Sequence, residues 1–103
     1  MIQAIIFDWV ETLSKGKRTL FPYSEKILKI LKKDYKLGLI SLAGHGKEQR
    51  ADDIKSTGIE HYFDSLIIAE EKTPEMYLQC IKELGSTPET TAIVDDEVKP
   101  RGI

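Results

Sequence analysis

Short apolar runs alternate along this chain with segments in which apolar residues recur every three or four positions. Residues 2–7 (IQAIIF) form an isoleucine-rich run of the kind a strand covered on both faces requires, and Asp8 ends it. The stretch DWVETLSKGKRTLFPY that begins at Asp8 is polar and rich in turn formers. Ser24 then opens a segment with Ile27, Leu28, Ile30 and Leu31 at helical spacing, which predicts a helix of about ten residues. LGLISL at 37–42 predicts a second strand with Ser41 near its end, broken by the loop AGHG. From Lys47 to Thr57 charges gather around Ala51 and Ile54, and Gly58 follows where a helix commonly stops. SLIIA at 65–69 reads as a third strand. Thr73 and Pro74 suit the N-cap and first turn of a helix whose stripe is Met76, Tyr77, Cys80, Ile81 and Leu84, with Gly85 stopping it. TAIVDD at 91–96 predicts a fourth strand ending in two carboxylates.

Strands and helices alternating at this spacing imply βαβ units, right-handed crossovers and a mainly parallel sheet with helices on both faces. In such sheets ligands collect at the carboxyl ends of the strands. Asp8, Ser41, Lys72 and the Asp95/Asp96 pair all fall at those ends or just after them.

Composition narrows the picture. The 103 residues suit one domain spanning 1–103, and 41% hydrophobic with 31% charged residues is the balance of a globular chain with a packed core. A formal charge of -2 gives no electrostatic footprint for nucleic acid. The apolar runs are too short for a membrane span and the N-terminus reads directly as a strand, so the expected location is cytoplasmic. Cys80 is the single cysteine, which excludes an intrachain disulfide and a multi-cysteine zinc cluster.

The run IIFDWVETL, the serine closing LGLISL, Lys72 and the acidic end of TAIVDD, in that order on successive strand ends, resemble the haloacid dehalogenase-like (HAD) superfamily over essentially the whole chain. The resemblance implies a three-layer αβα, Rossmann-like core without a cap domain, because only 33 residues separate Asp8 from Ser41 and 31 separate Ser41 from Lys72. It implies hydrolase or phosphatase chemistry in which Asp8 attacks phosphorus to form an aspartyl-phosphate. Ser41 and Lys72 would hold the phosphoryl oxygens, and magnesium (Mg2+) would be bound by Asp8, the Val10 carbonyl and the Asp95/Asp96 pair, with Asp96 at the position of the family's motif-four aspartate. Asp8 and Asp96 must then converge on one ion, which sets the expected strand order as 4-1-2-3 with the first strand central. A capless site leaves room for a phosphorylated small molecule or a phosphoprotein. The fourth strand, at the edge, calls for a homodimer contact or leaves the isolated chain of marginal stability.

The match departs from the family in three places. Val10 stands where the family's phosphatases carry a second aspartate, the proton donor, and general acid-base help is typically worth about 100-fold to 10,000-fold. Turnover is therefore expected to be slow. Glu11 replaces the usual glycine, and Pro100 falls near the place of a later acidic residue. The competing reading is a non-catalytic HAD-like module that binds a partner or a phosphate ligand. A receiver domain is disfavoured, since the third strand leads to Ala69, Glu70 and Glu71 without an acceptor aspartate. Trp9 is expected to pack the loop after the first strand, and His45 to be an exposed loop histidine.

Overall fold

The computed structural model describes residues 1–16, 18–71 and 73–94. In chain order the elements are β1 (Ala4–Asp8), β2 (Ser14–Gly16), β3 (Thr19–Leu20), α1 (Ser24–Leu31), β4 (Lys36–Leu42), α2 (Lys47–Ser56), β5 (Ser65–Ala69), α3 (Pro74–Glu83) and β6 (Thr91–Val94). Strands β5, β4, β1 and β6 pair in that order, and every pairing among them is parallel. With β1, β4, β5 and β6 taken as the first to fourth strands of the sequence pattern, this is the expected order. The antiparallel pair β2–β3 is an addition that the polar stretch after Asp8 did not announce.

Alternation along β1 builds the core. Ile5 and Phe7 join Leu37 and Leu39 of β4, Leu28 of α1 and Ile54 of α2 on one face. Ala4 and Ile6 join Ile40 of β4 and Met76, Cys80, Ile81 and Leu84 around α3 on the other. Side chains of successive strand residues point to opposite faces, so a run that is apolar at every position can only be a strand covered on both sides. Three layers follow: α1 and α2, the sheet, and α3.

The helices show where periodicity was and was not enough. Thr73 caps α3 as expected, its hydroxyl accepting from the Met76 amide, with Pro74 in the first turn. Ser24 does not cap α1; it lies inside the helix, fully buried, and donates its hydroxyl to the Leu13 carbonyl at 2.7 Å. In α1, eight residues long, Leu28 is buried but Ile27 and Ile30 are exposed, because only one edge of the apolar stripe meets the sheet. In α2 the apolar contact comes from Ile54, while Ala51 faces solvent. No helix among the described residues is long and apolar enough to cross a membrane.

Candidate active site

Asp8 is the last residue of β1 and pairs with Ile40, which places Ser41 one residue further along the neighbouring strand. Adjacent strands are about 4.8 Å apart, so the two residues are neighbours at the carboxyl edge of the sheet. On the other side of β1, Phe7 pairs with Val94, the residue before Asp95. Lys72, Asp95 and Asp96 themselves lie outside the described residues.

Immediately after Asp8 the chain makes a tight turn. The Trp9 carbonyl accepts the amides of Thr12, Leu13 and Ser14, and the Glu11 amide donates to the Ser14 carbonyl at 2.8 Å. Glu11 sits at φ 65°, in the left-handed region that glycine enters most readily. Trp9 is fully buried in the α1/α2-side core, so it packs the loop as expected. Val10 points outward at 36% exposure, and its carbonyl accepts none of the turn's backbone hydrogen bonds. The β2–β3 hairpin follows, closed by the Ser14 hydroxyl, which donates to the Thr19 carbonyl and accepts from the Gly16 amide. Arg18 at the hairpin tip reaches across to α2, its Nε 3.2 Å from Asp53 Oδ1, an oxygen that also accepts from Gln49.

Ser41 is fully buried. Its hydroxyl accepts a hydrogen bond from the Arg50 guanidinium, whose Nη1 also donates to the Leu42 carbonyl at 3.2 Å. Arg50 carries no sequence signal of its own, being one charge among many on a thinly apolar helix. Its spacing of nine residues from Ser41, across the loop joining β4 to α2, is what brings it back to the strand end.

Other expected contributors are constrained by the same geometry. In the AGHG loop the Ala43 amide donates to the Ala69 carbonyl and the Gly46 amide to the Ala43 carbonyl, so these two amides are engaged within the protein. His45 is exposed, as anticipated for a loop histidine. Cys80 is buried in the α3-side core; burial and the Glu83 charge push its thiol up against a lowering hydrogen bond from Ser65, which keeps it protonated and unreactive.

The donor set suits magnesium in kind. A carboxylate at Asp8 and a carbonyl at Val10, to which no described backbone amide donates, are oxygen donors, which a hard cation prefers. Among the described residues no group of three or more His, Cys, Asp or Glu side chains forms a metal cluster, and the two remaining carboxylates expected of the site, Asp95 and Asp96, are outside that set.

A family model for haloacid dehalogenase-like hydrolases matches residues 1–101. Among solved structures, a haloacid dehalogenase-like family hydrolase from Xanthomonas campestris superposes with a TM-score of 0.81 at 11% identity, over 95% of this chain and 75% of that one. At that identity the likeness is one of fold. No curated protein matches the chain.

Proposed function

The chain belongs to the haloacid dehalogenase-like hydrolase family, and on that premise we propose that it is a slow phosphoryl-transfer hydrolase with Asp8 as nucleophile. The observation that carries this reading is the register: Asp8 ends β1 one residue short of level with Ser41, at the ligand-binding edge of a parallel sheet. A carboxylate oxygen of Asp8 attacks phosphorus, the bond from phosphorus to the leaving oxygen breaks, and an aspartyl-phosphate forms. Water then hydrolyses the acyl phosphate, which releases inorganic phosphate and restores Asp8. Ser41 and Lys72 contribute the polar wall that receives the phosphoryl oxygens. Magnesium held by Asp8, the Val10 carbonyl and Asp95 or Asp96 would supply positive charge to offset the phosphate dianion.

Slowness is expected from Val10. Its side chain cannot donate a proton, so the leaving oxygen must take one from solvent. At 36% exposure, the position could hold a carboxylate without a burial penalty. The test is a magnesium-dependent screen on phosphate esters with Asp8→Asn as the blank, together with trapping of the acyl phosphate by hydroxylamine. Val10→Asp should then raise turnover by at least about tenfold, below the usual range of general acid-base assistance. If no ester turns over, no acyl phosphate is trapped and Val10→Asp leaves the folded protein inert, the second reading replaces the first: a phosphate- or partner-binding module without turnover, favoured by Val10 itself.

A further inference from the structure

Exposed apolar side chains that stand alone on a small protein need no partner. Those of α1 do not stand alone. Tyr23, Ile27 and Ile30 recur at the i, i+4, i+7 spacing of one helix face, and all three are exposed, Tyr23 and Ile30 by about half of their surface. On one flank of this stripe, Ile27 and Leu31 line a groove of about 400 Å³ between α1 and the sheet, together with Tyr23, Phe7, Leu13 and Val94. On the other flank Lys26 and Lys29, with Lys33 in the turn that follows, continue at i, i+3, i+7 spacing. All three lysines are exposed, and none has its ammonium held by an ion pair to a described residue.

Charge is concentrated around this face. From Lys15 to Lys36 eight lysines and arginines stand against two carboxylates, Glu25 and Asp34, a surplus of six in a chain whose formal charge is -2. Glu25 is occupied by the Tyr62 hydroxyl, and Glu11 is the one carboxylate lining the groove. An apolar patch rimmed by charge marks a surface that meets another molecule, and here the rim is positive. That sign decides the occupant. A second copy meeting this face across a twofold axis would set the lysine row against the same lysines. A bilayer would rest on the crest of the helix and leave the groove unfilled. A helix with one apolar side and acidic residues beside it satisfies the groove, the stripe and the lysines together.

We propose that the outer face of α1, with the groove beside it, is a docking site for an acidic amphipathic helix of another protein. The apolar side of that helix fills the groove and covers Tyr23, Ile27 and Ile30, and its carboxylates reach Lys26, Lys29 and Lys33. The site is separate from Asp8 and does not rest on the phosphoryl-transfer reading.

The test is binding of a fluorescein-labelled synthetic peptide to the full chain, followed by anisotropy. The probe is an amphipathic helix of about four turns with leucines on one side and glutamates on the other, and its companion carries lysines in place of the glutamates. The acidic peptide should bind with a Kd below about 100 µM at low salt, and the lysine peptide at least about tenfold more weakly. Lys26→Glu combined with Lys33→Glu should weaken the acidic peptide by about tenfold and abolish most of its salt dependence. Ile30→Ser should weaken it by about fivefold while leaving the salt dependence unchanged. These side chains are exposed, so circular dichroism should show the variants folded. Asp8→Asn should bind the peptide as wild type does. No binding of the acidic peptide, as when the chain's own residues fill the groove, overturns the proposal. So does equal binding of the two peptides, or an Ile30→Ser protein of unchanged affinity, since charge alone would then account for the contact. Self-association of the wild type in sedimentation that Ile30→Ser abolishes would assign the face to a second copy. Co-sedimentation with phosphatidylserine vesicles that the acidic peptide fails to displace would assign it to a membrane. Either result also overturns the proposal.

Discussion

Gly38 lies on β4 where the strand passes under α3, and replacing it with alanine should destabilise the protein through one identifiable collision. A Cβ at that position would stand 2.8 Å from Cys80 Sγ, 3.1 Å from Leu84 Cδ1 and 3.4 Å from Ile6 Cγ1. The first distance is shorter than packed atoms tolerate and the second is tight. Neither neighbour can step aside, because Cys80 is 0% and Leu84 4% exposed, and a helical cysteine has few rotamers to choose from. Overpacking of this kind costs about 1–3 kcal/mol. A loss of about 2 kcal/mol in a domain of this size corresponds to a Tm lower by about 10 °C. Urea unfolding followed by fluorescence of Trp9, the one tryptophan and a fully buried one, reads the change directly. The midpoint should fall while the slope m stays constant. Cys80→Ala removes the atom in the closest contact, so Gly38→Ala combined with Cys80→Ala should recover about 1 kcal/mol or more relative to the sum of the single changes. A Gly38→Ala protein within about 0.5 kcal/mol of wild type, or strictly additive single changes, would refute the packing argument.

Three further expectations concern ties elsewhere in the fold. Glu11 holds φ 65°, so Glu11→Gly should stabilise the protein by about 1 kcal/mol and Glu11→Val should destabilise it, as chemical denaturation would show; no gain from glycine would mean that the turn carries no strain. Burial raises the Asp64 carboxyl, but the Lys32 ammonium, the Leu37 amide and the charge of Lys36 outweigh it and hold the group below the ordinary aspartate range. A depressed carboxylate contributes stability above its unfolded value and loses it as pH falls through the folded one. Asp64→Asn should therefore flatten the decline in stability below about pH 4, and identical acid profiles for the two proteins would contradict this. Arg18 is 57% exposed, so Arg18→Gln should change global stability by less than about 1 kcal/mol, yet hydrogen exchange at the β2–β3 amides should accelerate because the hairpin tip loses its tie to Asp53; unchanged exchange there would rule out a latch.

The parallel sheet was legible because its cause is local and repeated. Buried strands read as continuous apolar runs, Pro74 and Thr73 announce a helix start by their own chemistry, and successive βαβ units leave few topologies. The order β5-β4-β1-β6 was expected because the family resemblance implies that carboxylates at two strand ends meet at one ion, and the strand pairing has that order. The candidate nucleophile was legible for the same reason, since Asp8 terminates an apolar run and a strand's carboxyl end is where such sheets bind ligands.

Other features were decided only when distant segments met. The β2–β3 hairpin is held by Ser14, by the Ser24–Leu13 hydrogen bond and by the Arg18–Asp53 pair across 35 residues, none of which leaves a periodic trace. Ile27 and Ile30 have the spacing of core residues but are exposed, because burial depends on how the helix is rotated against the sheet, and spacing along one helix carries no information about that. Glu11 in a left-handed turn could be suspected only from the glycine it replaces. The Arg50–Ser41 contact was invisible in the sequence because it is made by the turn from β4 into α2, which returns a helix charge to the buried hydroxyl of Ser41. Sequence determined which residue types stand at the strand ends; tertiary packing decided which of them a ligand can reach, because access is set by neighbours that are remote along the chain.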